Sequence, residues 1–290
     1  MARGYLTPTE ITDYTIEAAI QKTQRKNTEV LLMAILAGMY IAMGALAAST
    51  ASHAVANSGL AKLVAGAVFP IGLMFVILNG ADLFTGNCLS AVGVMDKKVR
   101  LGDFIKNLAI VLAGNFIGAT ALAWMQAHGG MFSMSDGAFG AYTVAAAVAK
   151  TNLSFGQAFI LGIICNIFVC AGVWMAYAAT DVTGKIFASF FSILAFVISG
   201  SEHIVANMYY IPAGIFAKSN SLYVELAGVR PTELANLTWR GFLINNAIPV
   251  TLGNIIGGVV IGAMYYTIYK RIHLGQSSSA PARHSRTVGD

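Results

Sequence analysis

The chain carries little charge. Only 11% of its 290 residues are Asp, Glu, Lys or Arg, against about 25% in soluble domains. With 57% hydrophobic residues, a water-exposed globule would lack the polar surface to cover itself, which excludes a soluble fold. Cysteine is scarce. Cys88, Cys165 and Cys170 fall inside apolar runs with no paired spacing, which excludes a disulfide scaffold and predicts packing residues without a metal. Histidine is scarce too: of His53, His128, His203, His273 and His284, only His203 lies within an apolar run. His-Glu-x-x-His, Cys-x-x-Cys pairs, Gly-x-Ser-x-Gly and a phosphate loop are all missing, so no enzyme, cofactor or metal site is expected. The first 29 residues lack an apolar core, which predicts no cleavable signal peptide.

Long apolar runs are abundant. Six segments, roughly 30–51, 60–95, 104–127, 154–180, 186–217 and 241–270, are long enough to span a bilayer. An all-α integral membrane protein follows, and thirty glycines suit close helix packing in lipid. With six spans, 13 of the Lys and Arg residues fall on the side of the two termini and 5 on the other. The positive-inside rule then puts both termini in the cytoplasm. The net charge of +5 follows from this bias and needs no nucleic acid, since a basic face meets anionic lipid. Residues 1–29 read as a cytoplasmic amphipathic helix, opened by the capping box Thr7-Pro8-Thr9-Glu10. Ile11, Tyr14 and Ala18 form its apolar face and Glu17, Gln21 and Arg25 its polar one. Such a helix serves as a membrane-surface anchor or as a gate. Residues 30–274 form the six-span domain, and 275–290 read as a disordered tail.

The second and fifth runs are too long for one simple helix, and each is interrupted. Gly80-Ala81-Asp82-Leu83-Phe84-Thr85-Gly86-Asn87 breaks one; Gly200-Ser201-Glu202-His203-Ile204-Val205-Ala206-Asn207 breaks the other, 120 residues later. Both read Gly-x-acid-x-x-x-small-Asn. An ionisable group inside a span marks a functional site by default, and a break must be buried or line a cavity. A second echo supports the first: Gly114-Asn115-Phe116-Ile117-Gly118 in run three and Gly253-Asn254-Ile255-Ile256-Gly257 in run six, 139 residues apart. Spans one to three thus repeat as spans four to six. Because three is odd, the two halves are inverted across the bilayer, with a site at their interface.

Within the breaks, His203 is suited to donate to an anion or to relay a proton, unless it is simply a buried histidine with satisfied partners. Asp82 and Glu202 are expected to cap half-helices and hold the breaks rigid. Asn87, Asn115, Asn166, Asn207 and Asn254 can satisfy freed backbone groups. The Thr85 hydroxyl can donate to an anion or accept from a neutral acid, and Lys150, just before span four, can attract anions or snorkel.

At these residues the chain resembles the formate/nitrite transporter family of pentameric channels. The likeness runs from about residue 10 to 270. It rests on Gly-Ala-Asp-Leu-Phe-Thr at 80–85, Glu-His-x-x-Ala-Asn-Met at 202–208 and Ile-Pro-Val-Thr-Leu-Gly-Asn-Ile-Ile-Gly-Gly at 248–258. The resemblance implies an aquaporin-like fold with pore loops breaking spans two and five, one pore per protomer and a homopentamer in a bacterial or archaeal cytoplasmic membrane. By motif position it implies His203 as the central pore histidine, Thr85 as its partner, Asn254 as the pore asparagine and Lys150 as the vestibule lysine. It further implies Phe69, Leu73 and Phe196 as apolar constrictions, and Glu202 with Asn166 as the pair that orients the central loop. The solute expected is formate, ahead of nitrite and hydrosulfide, crossing as the protonated acid. Two positions depart from the family pattern: Ser201 replaces an aromatic before Glu-His, and Ile204 follows the histidine where Ser is common.

Overall fold

A computed structural model describes residues 4–272; the tail expected to be disordered, 275–290, lies outside the described residues. Apart from an isolated bridge between Tyr5 and Ala179, the ordered elements are helical. After α1 (Pro8–Gln24) come, among the described residues, six helices long and apolar enough to cross a membrane: α2 (Asn27–Ser52), α3 (Ser58–Leu78), α5 (Leu101–His128), α7 (Phe155–Ala178), α8 (Val182–Ser199) and α10 (Trp239–Ile272). The shorter α4 (Phe84–Met95) continues α3, and α9 (Ile204–Ala217) continues α8. These are the second and fifth runs, each broken where the sequence predicts.

Both breaks begin at a glycine in the left-handed region, Gly80 at φ +73° and Gly200 at φ +71°. A side chain there would cost about 1–2 kcal/mol. The chain leaves the helix axis, stays extended for a few residues, then resumes as a helix.

The closest packing pairs α2 with α5 and α7 with α10. Small residues make it possible. A Cβ at Gly118 would overlap the Ile35 carbonyl oxygen, and one at Gly257 would overlap that of Ile163. These glycines close the two Gly-Asn-x-Ile-Gly motifs, so each motif sits where two backbones nearly touch.

The capping box of α1 forms as expected: Thr7 Oγ1 accepts the Glu10 N–H and Glu10 Oε2 accepts the Thr7 N–H at 2.7 Å. The expected apolar face forms only in part. Ile11, Thr12, Thr15, Ile16 and Ala19 are buried, whereas Tyr14 is exposed. Thr12 and Thr15 donate to the carbonyls of Pro8 (2.9 Å) and Ile11 (2.7 Å), so they pack like small apolar residues. The helix docks on protein, against α4, α7 and the end of α10.

A further helix lies outside the six expected spans. α6 (Ala138–Thr151) precedes α7 as α1 precedes α2. At 14 residues it is about 21 Å long, too short to announce itself as a span. It carries Lys150 in its last turn.

Candidate functional site

Each break is tied to its surroundings by a set of polar contacts, and the asparagine bonds of the two sets match one for one. In the first half, Asn115 Oδ1 accepts the Phe84 N–H (2.9 Å), while its Nδ2 donates to the carbonyls of Ala34 (2.7 Å) and Asp82 (3.0 Å). In the second half, Asn254 Oδ1 accepts the Ile204 N–H (3.0 Å), while its Nδ2 donates to the carbonyls of Gly162 (2.8 Å) and Glu202 (3.0 Å). Each asparagine thereby satisfies the first helical N–H after the break and two carbonyls beside it, the groups a broken helix leaves without partners.

The carboxylates follow the same scheme. Asp82, only 1% exposed, pairs with Lys22 at 2.7 Å and Arg25 at 3.2 Å, both contributed by the α1 end of the chain. It also accepts from Asn87, which donates on to Asn107. Glu202 pairs with Lys150 of α6 at 2.8 Å and accepts from Asn207 (2.6 Å) and Asn246 (3.2 Å). Asn107 donates to the Lys22 carbonyl and Asn246 to that of Lys150, both at 3.1 Å. For Lys22, burial disfavours the ammonium, but the Asp82 carboxylate outweighs burial and holds its pKa above the ordinary 10.5.

Two expectations change here. Asp82 and Glu202 take their bonds from side chains, so they do not cap the restarting helices. The cap in the second half is His203, whose Nδ1 accepts the Ala206 N–H at 3.1 Å. Asn166 does not pair with Glu202. Its amide donates to the carbonyls of Thr85 (3.2 Å) and Asn254 (2.5 Å), linking the two breaks to each other.

The sequence reading missed Lys22, Arg25, Asn107 and Asn246. A signal existed: Asn107 and Asn246 are 139 residues apart, the spacing of the Gly-Asn motifs.

The breaks meet at His203 and Thr85, with Nε2 and Oγ1 2.9 Å apart. A backbone N–H can only donate, so Nδ1 of His203 is an acceptor and the neutral ring carries its proton on Nε2. Nε2–H therefore donates to Thr85, leaving the threonine's own hydroxyl hydrogen available. Phe196 lies against this ring, 5.8 Å between centroids, and meets Phe69 edge-on at the same distance. Phe69, Leu73 and Phe196, the three expected constriction residues, are all buried, at 3%, 1% and 4% exposed.

Two cavities reach these residues. One, roughly 240 Å³, is lined by Lys62, Lys150, Glu202, Ser201, Phe69, Phe196 and His203. The other, roughly 160 Å³, opens on the α1 face and is lined by Lys22, Arg25, Lys185, Asp82 and Leu73. Cations outnumber carboxylates in both: two to one in the first, three to one in the second. Each cavity therefore carries an excess of basic side chains beside apolar ones.

A sequence profile described as Formate/nitrite transporter matches residues 9–268. The chain belongs to the formate/nitrite transporter family. It is 36% identical over 272 residues to "Formate channel FocA" of Haemophilus influenzae, covering 92% of this chain and 96% of that one. It is 39% identical over 256 residues to "Probable formate transporter" of Methanothermobacter thermautotrophicus, covering 82% and 87%. Among solved structures, "Pentameric formate channel with formate bound" aligns at a TM-score of 0.75 and 32% identity, covering 84% of this chain and 97% of that chain. "FNT family ion channel" aligns at 0.78 and 28%, covering 90% and 99%. These family members are channels and transporters, and the six membrane-crossing helices of this chain suit that role.

Proposed function

We propose that the chain is a channel for formate and related small monovalent anions of weak acids, passing the neutral acid at His203. One observation carries the reading: a sealed apolar centre bearing a single hydroxyl–imidazole pair, flanked by a cation-lined cavity on each face. A bare carboxylate in such a centre costs at least several kcal/mol. Protonating an acid of pKa near 4 at neutral pH costs about 4 kcal/mol, so the acid crosses more easily than its anion. Lys150 on one face and Lys22 with Arg25 on the other concentrate the anion, a proton neutralises it at the barrier, and the acid passes Phe69, Leu73 and Phe196. His203 keeps a neutral ring while it caps α9, because a proton on Nδ1 would face the Ala206 N–H. The proton therefore comes from water in the cavity, and His203 with Thr85 supplies hydrogen bonds to the passing acid.

The architecture follows from the same network. The matched bonds support two inverted three-span repeats, α1–α5 and α6–α10, in an aquaporin-like arrangement whose two breaks serve as pore loops. The pentamer of the solved relative supports a homopentamer here, with one pore per protomer. The excess of Lys and Arg on the α1 face supports cytoplasmic termini in a bacterial or archaeal cytoplasmic membrane. Asp82, Glu202, Asn166 and Asn207 act as loop supports, and so does Asn254, the pore asparagine of the resemblance, whose amide is spent on backbone groups; Thr85, His203 and Lys150 define the solute path.

The test is flux into proteoliposomes, with formate, nitrite and hydrosulfide competing across pH. Formate is expected to compete best. His203→Asn keeps a capping oxygen for Ala206 but removes the Nε2 donor, so it should fold and pass formate at least tenfold more slowly. Undiminished flux in that variant would remove the histidine from the scheme.

A further inference from the structure

Ser201, in the cavity beside Lys150, is paired with a second hydroxyl, and the central mechanism uses neither. α8 ends at Ser199, and Gly200, in the left-handed region at φ +71°, turns the chain so that Ser201 comes back beside it. Ser199 Oγ contacts Ser201 Oγ and lies 2.7 Å from the Phe196 carbonyl oxygen. Ser201 is 7% exposed and lines the cavity together with Lys150, Phe69, Phe196 and His203. It therefore stands on the approach to the apolar seal.

The chemistry of the pair is reversible. Each hydroxyl has one hydrogen and two lone pairs. In one arrangement Ser199 donates to the Phe196 carbonyl, Ser201 donates to Ser199, and the lone pairs of Ser201 face the cavity. That state accepts the O–H of a neutral carboxylic acid. In the other, Ser199 donates to Ser201, whose hydrogen turns into the cavity and donates to a carboxylate. Two hydroxyl rotations interconvert the states, and no side chain has to leave its place. An aliphatic residue or a phenylalanine at 201 could serve neither state.

The pair has no counterpart in the other half. The positions 120 residues earlier are Asn79 and Ala81, flanking Gly80. The cavity on the α1 face thus lacks a hydroxyl at the matching place, although the asparagine bonds beside it are duplicated.

We propose that Ser201, backed by Ser199, is a solute-binding station at the mouth opposite α1, taking a small monocarboxylate as either the anion or the neutral acid. This rests on the reading of the chain as a weak-acid channel. It makes the two mouths unequal in how they hold the solute.

The experiment measures initial formate uptake into membrane vesicles of each orientation, for the unaltered chain and for Ser201→Ala, Ser201→Thr and Ser199→Ala. A hydrogen bond to a charged group is typically worth about tenfold or more in affinity. Ser201→Ala should raise KM for entry at the mouth opposite α1 by about tenfold, with less than a twofold change for entry from the α1 face. Ser201→Thr should restore the original KM, and Ser199→Ala should fall between. An unchanged KM in Ser201→Ala, or an equal rise at both mouths, overturns the station while leaving the channel reading standing. A lack of formate uptake in the unaltered chain overturns the channel reading and the station with it.

Discussion

Asn115 and Asn254 offer a quantitative handle, because the same three hydrogen bonds are made twice in one molecule. Both side chains are fully buried. Truncation to Ala strips one backbone N–H and two carbonyls of their partners in each case. At about 0.6 kcal/mol per bond, a typical value between membrane helices, each loss comes to about 2 kcal/mol. At about 2 kcal/mol per orphaned buried group it comes to about 6 kcal/mol. Water cannot reach either site without opening the seam between α2 and α5 or between α7 and α10, which favours the upper part of that range. The assay is thermal or denaturant unfolding of the purified protein in detergent. Asn115→Ala and Asn254→Ala should each be destabilised within this range, and by similar amounts. Two variants as stable as the parent would show that water or relaxation replaces these bonds. Destabilisation of one variant alone would refute the equivalence of the two halves.

Two further changes probe the charge pairs and the seal. Lys150→Met leaves the Glu202 carboxylate with only amide partners, at a cost of about 3–5 kcal/mol; adding Glu202→Gln should recover much of that stability, and a double-mutant unfolding series checks it. Leu73→Ala removes bulk from a side chain that is 1% exposed at the barrier, so it should raise acetate flux relative to formate flux in liposomes; an unchanged ratio would place the selective constriction elsewhere.

The spans were legible because a bilayer needs long apolar helices, and few other arrangements accept a chain with so little charge. The breaks were legible for a related reason: an acid flanked by Gly and Asn has no place in an uninterrupted span. What escaped notice depends on distance along the chain. Lys22 meets Asp82 across 60 residues and Lys150 meets Glu202 across 52, so neither pairing leaves a local pattern. α6 was passed over because helices of its length are set by packing more than by hydropathy. The capping role was given to Asp82 and Glu202 because carboxylates commonly cap helices. Lysine and arginine claimed both carboxylates instead, and the imidazole of His203 took the cap. The face of α1 was misread because threonines bonded to their own helix bury as readily as alanines.

The neutral acid, in the proposed mechanism, is the species that crosses the apolar centre. Simultaneous recording of formate uptake and internal pH in proteoliposomes, with no membrane potential imposed, tests it most directly. Each formate that enters should bring one proton, so the lumen acidifies in step with uptake and no net current flows. Formate uptake with an unchanged internal pH and a matching inward current of negative charge would contradict it.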